Sequence, residues 1–301
     1  MGAPGRSNSI RVVVSGKSAK TPAKALEIDW LSLCRSATER IRDVFQQHGT
    51  TPERAIGTGR GAGGDEALVI DRGAEDAVFA ELDAAHARGY EFTAVSEERG
   101  EIVYGDGSSP VRVVIDPIDG SLNAKRLIPS YSLSLAVSSG DTMEDVQFGF
   151  VYDFGSGEEY VARLNEGATV NGEMLDVDDP GRGLEVVGFE CARPEWIAPI
   201  AARLEAEVYR MRIVGSIALS LCYLGRTRFD GMLTANTCRS VDAAAAQLVA
   251  REAGAFVSVL GHGGLEAPLD LDSRFRLAGA RTPEGLETLV RALTDAGLPG
   301  D

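Results

Sequence analysis

Asp116 and Asp119 have the spacing and the context of a site for a hard divalent cation. They belong to the segment DPIDGS (116–121), which directly follows the apolar run 111–115, a predicted buried strand. The proline cannot continue the hydrogen-bond ladder and the glycine permits a sharp turn, so Asp119 is expected to fold back towards Asp116. Two close carboxylates repel each other unless a cation lies between them, and aspartate oxygens suit hard divalent ions. Asp-Pro and Asp-Gly pairs are also common in ordinary turns, so this segment alone leaves both interpretations open.

A third carboxylate, Glu97, follows another predicted strand over 91–96 and is itself followed by Glu98. If this strand ends at the same sheet edge as the strand before Asp116, Glu97 lies beside the aspartates. Adjacent acids after a strand are also typical of a solvated turn, so the position of the strand decides between the two interpretations.

A fourth acid, Asp242, lies far downstream in the first turn of a helix predicted over 241–253, with Ser240 as its N-cap. An acid in that position stabilises a helix by about 0.3–1 kcal/mol through the helix dipole, with no further role. The four alanines at 243–246 favour a functional role, because small residues let the end of a helix approach another backbone closely.

Helices and strands without strict alternation must position these acids. Helices are predicted over 29–47, 73–88, 195–206, 216–224 and 241–253, and a last helix begins with Thr282 as N-cap and Pro283 at its first position. Strands are predicted over 91–96, 111–115, 131–137, 146–152, 159–164 and 184–189, the middle ones as an antiparallel meander. The alternation at 131–137 predicts one apolar face. This order indicates an α+β fold of mixed α/β layers rather than a doubly wound parallel sheet.

The order of these motifs resembles the inositol monophosphatase and fructose-1,6-bisphosphatase superfamily. Its signature is a Glu-Glu pair, an Asp-Pro-Ile/Leu-Asp-Gly-Thr/Ser segment and a distant Asp-x-Ala-Ala that opens a helix. The chain also matches it at Asp71, Ile128-Pro129, Asn171-Gly172, Gly215-Ser216 and Glu252-Ala253-Gly254. The resemblance spans about residues 27–280, and the segment 121–134 is closer to the archaeal-type branch, whose members often accept both inositol phosphate and fructose bisphosphate.

This resemblance implies a sugar-phosphatase fold of alternating helix and sheet layers and a Mg²⁺-dependent phosphomonoesterase that uses metal-activated water, with about two or three ions per site. The implied Mg²⁺ ligands are Glu97, Asp116, the Ile118 carbonyl oxygen, Asp119 and Asp242. The implied catalytic residues are Ser121, held by Asp71 to orient the water, and Glu97 as the base. The implied substrate contacts are Asp119, Gly120, Ser121, Gly215, Ser216 and Asp242. A homodimer is expected from the same resemblance.

Three positions depart from the family pattern. Ser121 replaces the commoner threonine and keeps the hydroxyl, and Arg239-Ser240-Val241 precedes Asp242 where many members have a tryptophan directly before it. The segment 234–236 lacks the acid that many relatives use to bind substrate hydroxyls, and this last departure affects the substrate rather than the chemistry. Inositol monophosphate or a related small sugar phosphate is the expected substrate, with fructose 1,6-bisphosphate as a further candidate. The alternatives are a nucleotidase acting on adenosine 3′,5′-bisphosphate and a non-catalytic regulatory relative.

Composition limits the remaining classes of protein. The 301 residues carry a formal net charge of -15, which disfavours nucleic-acid binding, and no apolar stretch is long enough to predict a membrane helix. Four scattered cysteines match no disulfide framework, consistent with the cytoplasm. Residues 1–25 contain five basic residues and no acid and are predicted to be a disordered tail, followed by a metal-binding α+β unit over 26–155 and an α/β unit over 156–301 that supplies Asp242.

The glycine-dense segment 57–65 formally contains G-x-G-x-x-G, the pattern of dinucleotide-binding turns. Such a turn requires a strand before it and a helix after it, and neither is predicted here. The segment is instead predicted to be a mobile loop that closes over the metal site.

Overall fold

A computed structural model describes residues 24–62, 66–177, 183–191 and 193–298. Most of the predicted tail and the last part of the glycine-dense segment therefore lie outside the described residues. Within them, the α-helices are α1 (Trp30–Gln47), α2 (Thr51–Arg54), α3 (Val69–Ala87), α4 (Ser121–Arg126), α5 (Pro194–Arg203), α6 (Ile217–Gly225), α7 (Ser240–Glu252) and α8 (Pro283–Thr294).

The described strands form one two-stranded ribbon and two larger sheets. They are β1 (Gly57–Arg60), β2 (Glu66–Leu68), β3 (Phe92–Ser96), β4 (Gly100–Tyr104), β5 (Arg112–Asp119), β6 (Ser132–Ser138), β7 (Val146–Asp153), β8 (Glu159–Arg163), β9 (Gly167–Val170), β10 (Glu173–Met174), β11 (Leu184–Glu190), β12 (Val208–Arg212), β13 (Gly231–Thr234), β14 (Phe256–Leu260) and β15 (Arg276–Ala280).

The first large sheet has the order β10-β9-β8-β7-β6-β5-β3-β4. Its neighbouring strands are antiparallel except for β3 and β5, so the predicted meander is confirmed. Strand β5 continues further than predicted, through both aspartates, and its pairing with β6 is irregular between Asp116 and Asp119. This irregularity lies at the proline, where the ladder loses a donor.

The second large sheet has the order β12-β11-β13-β15-β14. Of these five strands, only β11 was predicted from the sequence. Strands β13 and β15 are buried at every position, so they lack the alternation of apolar and polar residues that reveals a half-buried strand.

The elements stack as alternating layers, which confirms the predicted fold class. Helices α1 and α3 cover one face of the first sheet, and α6 and α7 pack between the two sheets. Helices α8 and α5 cover the far side of the second sheet, where they close a separate apolar core. The first sheet extends to Met174 and the second begins at Leu184. The proposed division at residues 155 and 156 stays a prediction.

Strand β6 confirms the strand predicted over 131–137, and its serines are buried as well as its apolar residues because helices cover both sides of the sheet. Two local predictions need correction. Helix α3 begins at Val69 rather than Gly73, which places Asp71 in its first turn. Ser240 is not the N-cap of α7 as predicted, because the N-cap is Arg239 and Ser240 is the first helical residue. The Ser240 hydroxyl instead donates a hydrogen bond to the Asp270 carbonyl oxygen at 2.6 Å. No helix in the described ranges is both long and apolar enough to cross a bilayer.

Candidate active site

The end of β5 holds two buried aspartates. Asp116 is 3% exposed and Asp119 is 7% exposed. The Ile118 N–H donates to Asp116 Oδ1 at 3.0 Å, which fixes the carboxylate against the turn that follows. Gly120 has a φ of 96° in this turn, a conformation that favours glycine. The turn therefore keeps both acids at one edge of the sheet.

The parallel pairing of β3 with β5 brings Glu97 to the same edge. Ser96 pairs with Ile115, so Glu97, which directly follows β3, lies beside Asp116 of β5. Asp242 reaches them from α7, and carboxylate oxygens of these three acids all lie within 4.8 Å of one another. Three residues far apart in the sequence thus form one compact acidic cluster.

Close packing of α7 on the first sheet delivers Asp242 to this place. At Gly149 in β7, a Cβ atom would lie only 2.6 Å from the Ala245 carbonyl oxygen of α7. A glycine facing the alanine run therefore lets helix and strand approach each other directly. This contact agrees with the prediction that the alanines at 243–246 let the end of the helix approach another backbone closely.

Asp119 is held separately, at the beginning of α6. Its Oδ2 accepts hydrogen bonds from the Ser216 hydroxyl at 2.5 Å and from the Ala218 N–H at 2.7 Å. Ser216 also caps α6 by accepting from the Leu219 N–H at 3.1 Å. These contacts orient Asp119 and tie β5 to the second half of the chain.

The concentration of acids raises their pKa values. Burial, followed by the charges of Glu97, Asp119 and Asp242, raises the pKa of Asp116 well above its ordinary value. Burial also raises the pKa of Asp119 to about 8, although its bond from Ser216 acts in the opposite direction. A bound cation would lower these values, because it favours the charged carboxylates.

Ser121 and Asp71 lie in the same cavity. The Ser121 hydroxyl donates to the Ile118 carbonyl oxygen at 3.0 Å. Asp71 accepts from the Leu68 N–H at 2.9 Å through Oδ2, and its buried Oδ1 has no hydrogen-bond partner among the described residues. Burial raises the pKa of Asp71, whereas its contacts with Leu68 and Ser121 act in the opposite direction. The predicted catalytic pairing of these residues therefore stays a prediction.

Comparison with known proteins identifies the family. The model of the inositol monophosphatase family matches residues 26–297. The chain belongs to the inositol monophosphatase family. It is similar to a protein of Archaeoglobus fulgidus named fructose-1,6-bisphosphatase/inositol-1-monophosphatase, with 35% identity over 260 residues, 84% of this chain and 94% of that protein. A protein of Thermococcus kodakarensis with the same name is 28% identical over 271 residues, 90% of this chain and 99% of that protein.

The fold agrees with this membership. A solved structure described as an inositol monophosphatase–fructose 1,6-bisphosphatase superposes with a TM-score of 0.76 at 25% identity, covering 88% of this chain and all of the other. Family and relatives together identify the chain as a phosphatase that acts on a small-molecule phosphate.

The carboxylates described above line a cavity of about 670 Å³. Of the predicted site residues, all but Ser216 line it; Ser216 is buried beneath Asp119. Gly120 and Gly215 meet closely at its wall, since a Cβ on Gly120 would lie 3.0 Å from the Gly215 carbonyl oxygen. The described part of the glycine-dense segment reaches the cavity rim, where the Ala62 N–H donates to the Glu98 carbonyl oxygen at 2.9 Å. Whether that segment closes over the site stays a prediction.

Sequence reasoning did not assign Glu190 or Arg239 to this cavity. Glu190 ends β11 and accepts from the N–H groups of Val214 at 3.1 Å and Gly215 at 2.9 Å, so it shapes the loop before α6. Burial raises its pKa to about 7. A carboxylate directly after an apolar strand was a detectable signal, as it was for Glu97. Arg239, which contacts the acidic cluster, was noted in the sequence only as a departure from the family pattern.

The residues present fit a divalent cation. The cluster offers carboxylate oxygens alone, the donors that Mg²⁺ and Ca²⁺ prefer, whereas no histidine or cysteine belongs to it. Glu98 adds a fourth acid nearby: its Oε2 is buried without a hydrogen-bond partner among the described residues, and burial with the charges of Asp71 and Glu97 raises its pKa to about 7. A site in which this many acids lie close together has the character of a cation site.

Proposed function

We propose that this phosphatase is Mg²⁺-dependent and hydrolyses inositol monophosphate or a related small sugar phosphate, with fructose 1,6-bisphosphate as a further candidate substrate. The observation that supports the proposal most is the convergence of Glu97, Asp116 and Asp242 at one end of the cavity. The printed names of the relatives, which pair the two phosphatase activities, support the substrate class.

In this proposal, different residues of the chain bind the metal ions, act on the attacking water and surround the substrate. Glu97, Asp116, Asp242, the Ile118 carbonyl oxygen and Asp119 hold about two or three ions, and Asp119 is kept in place by Ser216. When bound, the ions supply Lewis-acid stabilisation of the phosphate and activate water. Ser121 orients the attacking water, with Asp71 beside it, and Glu97 accepts its proton. Asp119, Gly120, Ser121, Gly215 and Asp242 surround the substrate, and Ser216 supports this wall from beneath.

Metal dependence is tested by stripping the purified chain with a chelator and measuring phosphate release during titration with Mg²⁺. Activity should be absent without a divalent ion, because the acids repel one another and the anionic substrate, and Mg²⁺ should restore it. Ca²⁺ should inhibit, because it is larger and less demanding in geometry. Full activity in excess chelator would contradict the proposal.

The substrate is tested with inositol 1-phosphate, fructose 1,6-bisphosphate and adenosine 3′,5′-bisphosphate as a panel. A preference of about a hundredfold in kcat/KM for the adenosine compound, about 2.7 kcal/mol in the barrier, would replace the proposed substrate by a nucleotide. No phosphate release from any phosphomonoester would favour a regulatory relative. The homodimer and the cytoplasmic location stay predictions.

A further inference from the structure

Arg239 places a positive charge directly in the acidic cluster. Its Nη2 lies 2.5 Å from Glu97 Oε1 and 3.4 Å from Asp242 Oδ1, and its side chain is only 13% exposed. The same residue donates its backbone N–H to Asp242 Oδ2 at 2.8 Å. Arg239 is therefore packed into the site rather than extended into solvent.

The guanidinium group contacts two of the carboxylates that could hold a metal ion. Glu97 and Asp242 are two of the three carboxylates whose oxygens lie within 4.8 Å of one another. An arginine side chain does not lose its proton in a protein, so it cannot release these oxygens by becoming neutral. A cation that takes the same oxygens must therefore displace the guanidinium group.

The ion pair also joins parts of the chain that are distant in sequence. Glu97 follows β3 of the first sheet, and Arg239 precedes α7, 142 positions away. Breaking one side of a buried ion pair is costly, because the remaining charges are left without compensation. The contact is thus suited to stabilise the site while no metal is bound.

We propose that Arg239 is a built-in counter-ion that occupies the cation position between Glu97 and Asp242 and is displaced when a metal ion binds. This inference rests on the metal site of the proposed function and adds that metal affinity is set by competition with a residue of the chain. It makes two linked statements: Arg239 weakens Mg²⁺ binding, and it stabilises the metal-free chain.

A competing role for Arg239 predicts the opposite change in Mg²⁺ affinity when its side chain is removed. If its main task were to orient Asp242 for the ion through the capping N–H and the guanidinium group, loss of the side chain would weaken Mg²⁺ binding or leave it unchanged. A measurement of metal affinity therefore separates the two roles without relying on activity.

The experiment is a titration of the metal-stripped full chain with MgCl₂ by isothermal calorimetry, with thermal melting in chelator and in saturating Mg²⁺. The test variants are Arg239→Met and Arg239→Gln, the second because it keeps hydrogen-bond donors if the first does not fold. The matched control is Lys125→Met. Lys125 lines the same cavity, but none of the described ion pairs joins it to the cluster, so this variant measures the effect of removing a nearby charge alone.

Both Arg239 variants should bind Mg²⁺ at least about tenfold more tightly than the unaltered chain, equivalent to about 1.4 kcal/mol. Lys125→Met should change the affinity by less than about threefold, because solvent and salt screen a charge that is not in contact. The Arg239 variants should melt lower than the unaltered chain in chelator and close to it in Mg²⁺. An affinity equal to that of the Lys125 control, or weaker than that of the unaltered chain, would overturn the inference.

The unaltered chain distinguishes this failure from failure of the proposed function. If it binds Mg²⁺ and releases phosphate while the Arg239 variants gain no affinity, only the counter-ion role is wrong. If it binds no Mg²⁺ and needs none for turnover, the metal site and the counter-ion role are both wrong.

Discussion

Asp242→Asn separates a metal ligand from an ordinary helix-end acid. Asparagine has nearly the same shape, and its side-chain oxygen can still accept the Arg239 N–H that now bonds to Oδ2 at 2.8 Å. The substitution therefore removes one negative charge with little change in packing. As a first-turn acid alone, Asp242 is worth about 0.3–1 kcal/mol of stability, and activity should scarcely change.

If Asp242 is a metal ligand, the structure predicts a different effect of Asp242→Asn. Asp242 is 8% exposed, and its carboxylate contributes to the repulsion that raises the pKa of Asp116 and Asp119. Removing its charge should leave melting in chelator near normal or slightly higher, because weaker repulsion among the acids offsets the weaker pairing with Arg239, whose contact with Glu97 remains. It should lower kcat by about a hundredfold or more, the loss seen when stabilisation of transition-state charge is removed, and increase the Mg²⁺ concentration required.

The assay is phosphate release over an Mg²⁺ titration, with melting temperature measured on the same preparations. Glu284→Gln is the matched control, because Glu284 is an exposed acid in the first turn of α8 and outside the cavity. The control should keep normal turnover and a normal Mg²⁺ requirement. If Asp242→Asn behaves like this control at ordinary Mg²⁺, Asp242 is only a helix-end acid and the proposed site is wrong.

Two further predictions concern pH and backbone geometry. The pKa of Asp119 is raised to about 8 and that of Glu190 to about 7, so the folded chain holds protons that the unfolded chain has already released. The free energy of unfolding of the metal-free chain should therefore fall from about pH 5 to about pH 8, and a melting temperature in chelator that rises over this range would contradict the assignment. Gly120→Ala should cost at least about 1 kcal/mol in thermal melting, because its φ is 96° and a Cβ would meet the Gly215 carbonyl oxygen at 3.0 Å. Gly172→Ala is the control, because Gly172 has a φ of 83° and a Cβ there would meet nothing within 4 Å, so this variant measures the cost of the backbone conformation alone. Equal losses of stability in both variants would show that the close approach of Gly120 to Gly215 is unimportant.

The carboxylates could be predicted because each follows a strong local signal. Asp116 ends an apolar run, and apolar runs form buried strands whose ends lie at a sheet edge. Asp242 stands in the first turn of a helix whose small residues indicate a close approach. Local patterns of this kind are properties of a few consecutive residues, so the sequence alone contains them.

The rest depends on contacts between distant parts of the chain. The role of Arg239 follows from its distance to Glu97, which no local pattern contains. Strands β13 and β15 are covered on both faces, so their polarity does not alternate. The hydrogen bond that the Ser121 hydroxyl makes to the Ile118 carbonyl oxygen depends on the exact course of the turn after β5.

The close contact between Gly149 and Ala245 means that the acidic cluster is assembled when the chain folds. Helix α7 belongs to the largest apolar core, which contains residues of both sheets, so Asp242 reaches Glu97 and Asp116 without help from any ion. Repulsion among the acids is then a free-energy cost that hydrophobic burial offsets during folding, and a bound ion would recover it. Ion affinity and resistance to heat are thereby linked, and a substitution that loosens the contact between α7 and β7 weakens both together.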